Sequence, residues 1–162
     1  MGDTMDQLYS TYFSDIYRFL FSLCHNHHTA EDLVQETFFR AHLHIEDYRS
    51  ESVKAWLFTV AYHSYIDHYR KQKRLSIKGE GFFSKLFDKK RTVEEAVVVQ
   101  EEIEELLQAV NALPEKHKMA VLLCDFNQLT YQEAAEVMEV NVSYVKVLLF
   151  RGRQALRKGR NE

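Results

Sequence analysis

Apolar side chains recur at spacings of three and four along almost the whole chain, and the repeat is lost once, between residues 75 and 92. That spacing gathers apolar groups on one stripe of an α-helix, whereas a half-buried strand needs strict alternation. One proline and five glycines in 162 residues are too few for a turn-rich β fold. The expected fold is therefore all-α, with two small helical domains at 1–75 and 93–162 joined by a flexible linker over 76–92.

Within the first domain, Leu8, Tyr12, Ile16, Phe19, Leu20 and Leu23 define the inner side of one helix. Thr29, followed by Asp32, is expected to cap a second helix with Leu33, Val34, Thr37, Phe38 and Ala41 inside and Asp32, Gln35, Glu36 and Arg40 mostly outward. A polar turn then leads into a third helix, VKAWLFTVAYHSYIDHYRKQKR. The stretch SIKGEGFFSKLFDKKR has no clean period and reads as linker. Helical spacing resumes at Val93, and Pro114 sits where the first turn of a further helix tolerates it.

Charge is unevenly spread. Residues 1–51 hold nine acids against three bases, while residues 143–160 hold six bases and no acid, in a chain whose formal net charge is −3. Basic blocks suit nucleic acid, and acidic blocks suit a basic protein surface. The apolar runs are far short of the roughly 20 residues that span a bilayer, so no direct membrane insertion is expected. Without a basic n-region at the start, the chain is expected to stay in the cytoplasm, with Cys24 and Cys124 reduced.

Residues 130–157 carry the sharpest signal. Thr130 and Glu133 fit a capping box, Asn141 is placed to take a left-handed turn, and Ser143 to cap a basic helix, giving a helix-turn-helix. Projected around that last helix, Val145, Leu148, Leu149, Gly152 and Leu156 share the inner side. Lys146, Val147, Phe150, Arg151, Arg153, Gln154, Arg157 and Lys158 share the outer one. Arginine pairs with guanine edges or phosphates, and an apolar group meets a thymine methyl, so a mixed face of this kind suits a major groove.

The third helix is the other informative segment. Phe58, Tyr62, Tyr65 and Tyr69 form one stripe; Trp56, His63, Asp67 and Arg70 share another face, with Asp67 and Arg70 a possible surface ion pair. Aromatic and basic groups together suit single-stranded nucleic acid, although an aromatic stripe also suits a core.

Together these pieces resemble the extracytoplasmic-function (ECF) sigma factors of the sigma-70 family. AEDLVQETF, WLFTVAYHSYIDHYRKQKR, LPEKHK and LTYQEAAEVMEVNVSYVKVLLFRGRQAL occur in that family's order and spacing. The resemblance implies that 1–75 is sigma domain 2, which binds core RNA polymerase and the −10 element, and that 93–162 is domain 4, which binds the −35 element. It implies contacts with the β′ clamp helices of bacterial core RNA polymerase through Asp32, Gln35, Glu36 and Phe39, and with the β flap. It assigns −10 promoter DNA to Asp47, Tyr48, Arg49, Ser50, Trp56, Tyr62, His63, Arg70, Lys71 and Arg74. The −35 element falls to Tyr144, Lys146, Val147, Phe150, Arg151 and Arg153. Relatives are commonly held by an anti-sigma factor, often membrane-anchored. The chain departs from the common pattern at Tyr62, His63, Lys118, Val147 and Leu148.

A helix-turn-helix regulator acting without polymerase accounts equally for the C-terminal half but leaves the aromatic and basic third helix unexplained. Cys24, His25, His27 and His28 are ligand types for zinc or copper, yet they sit in a turn without a second set of cysteines. No metal, cofactor or catalytic role is expected: there is no Walker A sequence, and no nucleophile stands with a base.

Overall fold

The computed structural model describes residues 5–47, 52–77 and 101–161, so the expected linker from residue 78 onward and the start of the second domain lie outside them. The chain divides into two compact units, Met1–Val98 and Val99–Glu162. Among the described residues every regular element is helical.

In the first unit, α1 (Met5–Cys24), α2 (His27–Leu43) and α3 (Val53–Ile77) each pack on the other two. A short 3₁₀ turn, Ile45–Asp47, follows α2. The core matches the expected stripes: Leu8, Ile16, Phe19, Leu20 and Leu23 meet Leu33, Val34, Thr37, Phe38 and Ala41, while Tyr12 is only half-buried. Phe19 and Phe58 pack with ring centroids 5.0 Å apart, and burying each ring is worth on the order of 2–3 kcal/mol. Two hydroxyls in this core are satisfied locally: Thr37 donates to the Leu33 carbonyl at 2.6 Å and Ser64 to that of Val60 at 3.0 Å. Helix α3 runs two residues into the segment expected to be linker.

The start of α2 differs from expectation. Asn26, not Thr29, is the N-cap; its side-chain oxygen accepts from the Thr29 N–H at 2.9 Å. Asparagine is the better capping residue, and His25, at φ 57°, turns the chain so that Asn26 immediately precedes the helix. The histidine-rich stretch is thereby shared between a tight turn and a helix start. Cys24 donates to the Asn26 carbonyl, Tyr17 hydrogen-bonds His27 Nδ1, and the His27 ring stacks on Phe21 at 4.5 Å. Among the described residues no three metal-ligating side chains converge, and no helix is long and apolar enough to cross a membrane.

The second unit holds α4 (Glu101–Asn111), α5 (Glu115–Val121), α6 (Tyr131–Met138) and α7 (Val142–Asn161). Pro114 stands immediately before α5, and its carbonyl accepts from the Lys118 N–H at 2.9 Å. Helix α5 continues as a π-helical turn, Leu122–Phe126, which the apolar spacing did not announce. Helix α7 packs on α4, α5 and α6 through Val145, Leu148 and Leu149, all buried. A Cβ on Gly152 would come within 2.9 Å of a Val121 methyl, so the missing side chain is what lets α7 lie this close to α5.

Candidate nucleic-acid interface

The geometry of α6 and α7 is set by their caps. Thr130 accepts from the Glu133 N–H at 3.0 Å, and Glu133 reaches back to the Thr130 N–H at 2.8 Å, completing the expected box. The turn is arranged differently from expectation. Glu139, at φ 58°, takes the left-handed position, and Asn141 instead caps α7, accepting from the Tyr144 N–H at 2.8 Å. Ser143 lies inside the helix. The cap must stand directly before the first helical residue, Val142, and Asn141 is the residue there.

From this start α7 presents the expected outer face: Lys146, Val147, Phe150 and Arg151 are exposed, and Phe150, at 67% exposure, is the most exposed large apolar side chain described. Tyr144 is half-buried, with the Lys116 ammonium 5.6 Å from its ring centre, and Lys146 lies 5.8 Å from that of Tyr131. Arg153 is placed differently. Its guanidinium makes two bonds to Asp125, at 2.6 and 3.0 Å, across to the π-helical turn. Those bonds hold its pKa above the usual arginine value against the opposing effect of burial. Next to this pair, burial and the neighbouring Asp125 push the Cys124 thiol up to about 11. Leu148 and Lys118, two of the departures from the common pattern, are buried.

In the first unit the aromatic stripe of α3 separates by depth. Phe58 is core, Tyr62 and Tyr65 are half-buried, and Tyr69 is 50% exposed with Lys73 above its ring. Trp56 is half-buried, whereas His63, Arg70, Lys71 and Arg74 are exposed. Asp47 closes the 3₁₀ turn; Tyr48, Arg49 and Ser50 lie outside the described residues. Asp67 is not paired with Arg70 in this structure: its carboxylate meets Arg40 of α2 at 2.8 Å, and Arg40 also bonds Glu36 at 2.8 Å. The hydrogen bond to Glu36, opposed by partial burial and helped by Asp67, raises the Arg40 pKa. Asp32, Gln35, Glu36 and Phe39 stand together on the exposed face of α2, Phe39 at 59%. Leu43, equally exposed and one turn beyond Phe39, extends that face; continuing the period past Phe39 would have found it.

Comparison with known proteins agrees with this arrangement. Residues 8–75 match the family Sigma-70 region 2 and residues 103–156 match Sigma-70, region 4. The ECF RNA polymerase sigma factor SigM of Bacillus subtilis is 38% identical over 95% of this chain and 93% of its own length. The chain belongs to the ECF sigma factors of the sigma-70 family. SigW of Bacillus subtilis, another ECF RNA polymerase sigma factor, is 29% identical to this sigma factor over 96% of the chain and 88% of its own. Solved structures that share its fold include two proteins held in complexes. One is the sigma factor RpoE of Bartonella quintana in complex with the anti-sigma factor NepR, with a TM-score of 0.67, 22% identity and 94% of each chain covered. The other is CnrH in complex with the cytosolic domain of CnrY, with a TM-score of 0.70, 19% identity and 97% and 87% covered.

Proposed function

We propose that this sigma factor directs core RNA polymerase to promoters by reading two DNA elements and helps to separate the strands of the −10 element. The observation that carries the reading is the outer face of α7, where exposed Val147 and Phe150 stand among Lys146 and Arg151. Such a face is poor surface in water and a good fit to a major groove, where the cations meet phosphates or guanine and the apolar groups meet thymine methyls. Arg153, held by Asp125, supports that face rather than leading it. In the first unit, His63, Arg70, Lys71 and Arg74 attract the −10 strand, Trp56 and Tyr62 offer rings for unstacked bases, and residues 47–50 complete the site. The acidic and apolar face of α2, through Asp32, Gln35, Glu36 and Phe39, docks on the β′ clamp helices, and the second unit meets the β flap. The protein works by binding, without bond chemistry of its own. A partner anti-sigma factor, membrane-anchored in many relatives, masks these faces until a signal releases them.

The test is to add the purified protein to bacterial core polymerase and map transcription starts on fragmented DNA of its own genome. Discrete starts that depend on the protein, with shared sequence about −10 and −35, are expected. Tight binding to duplex DNA without polymerase, with no dependent starts and no co-elution with core, would replace this reading with that of a conventional regulator.

A further inference from the structure

We infer that Arg40, a residue of α2, belongs functionally to the −10 face of α3, where it neutralises Asp67. His63, Asp67 and Arg70 follow one another at spacings of four and three, so the Asp67 carboxylate lies within the stripe proposed to face DNA. An uncompensated carboxylate there repels phosphates. In the structure that charge is met from the neighbouring helix by the Arg40 guanidinium, at 2.8 Å. Both groups are partly exposed, with side-chain exposures of 31% for Arg40 and 55% for Asp67, so the pair acts on an approaching strand as well as within the fold. The same guanidinium holds Glu36 at 2.8 Å, which ties it to the face proposed for polymerase and fixes where it can sit. Arg40 is thus a positioning residue, acting on DNA through Asp67, and the assignment rests on the −10 reading above.

The experiment uses holoenzyme reconstituted from core polymerase and the full chain. Its probe is a labelled genomic fragment carrying one of the mapped starts, with affinity measured across a range of salt concentrations. Arg40→Gln is expected to weaken promoter binding by roughly two- to fivefold at low salt, the scale of one partly exposed charge pair. The deficit should shrink as salt screens the exposed carboxylate. Adding Asp67→Asn to Arg40→Gln should restore most of the affinity, because the offending charge is gone, and Arg40→Lys should retain most of it. Asp67→Asn alone supplies the fourth corner of the cycle, and core affinity and thermal unfolding are followed for every variant. An Arg40→Gln holoenzyme that binds like the wild type would overturn the inference. So would a double variant as weak as the single one, since Arg40 would then be contacting DNA or polymerase directly or serving the fold alone. If the wild-type holoenzyme itself shows no preference for the fragment over unrelated DNA, the sigma reading falls first and this inference with it.

Discussion

Among the residues of the α7 face, Arg151 and Arg153 look equivalent in the sequence, two positions apart and both cationic. The structure separates them, because one guanidinium is exposed and the other is engaged along one edge, through Nε and one Nη, by both carboxylate oxygens of Asp125. Arg151→Ala is expected to weaken binding of −35 DNA by about 1–3 kcal/mol, with the loss confined to particular sequences if it reads a base. Arg153→Ala should instead lower the thermal midpoint and change DNA affinity little; a loss as large and as sequence-specific as that of Arg151→Ala would return Arg153 to the reading set. Cys124 shows the same dependence on surroundings. With its thiol pushed up from 9.0 to about 11, it should be alkylated by iodoacetamide at pH 8 about tenfold or more slowly than a free cysteine, measured in a Cys24→Ser background. Folding favours the protonated thiol, so its contribution to stability is complete below pH 9.0 and is lost as the pH rises through about 11.

At the level of helices, the residues that start and stop each element were partly legible. Thr130 and Glu133 could be recognised as a box because both halves of the motif lie within four residues of sequence. Asn26 and Asn141 were not identified as caps, because each competes with a neighbouring Ser or Thr and only the backbone path decides which side chain reaches the free N–H groups. Asn141→Ala is accordingly expected to cost about 1 kcal/mol in chemical denaturation, while Ser143→Ala should be close to neutral. Equal losses would restore Ser143 as the cap. The π-helical turn at Leu122–Phe126 left no mark in the apolar spacing, yet it carries the carboxylate that engages Arg153.

Across the whole molecule, each unit buries its own apolar stripes, Phe19 and Phe58 in the first and Leu122, Leu123, Leu148 and Leu149 in the second. Phe58→Ala should therefore destabilise the first unit by about 3–5 kcal/mol while leaving the amide and methyl resonances of α6 and α7 in place. Loss of both sets of resonances together would mean that the units fold as one. The all-α class, the two modules, most of the inner stripes of α1, α2 and α7 and the exposed faces of α2 and α7 were determined by the sequence alone, because a helix's period and its charges are local properties that survive any packing. Which cations on those faces are held was decided only by tertiary structure. Arg40 finds Asp67 at 27 residues' separation and Arg153 finds Asp125 at 28, and such pairings depend on which helices come side by side, a relation that no local pattern encodes.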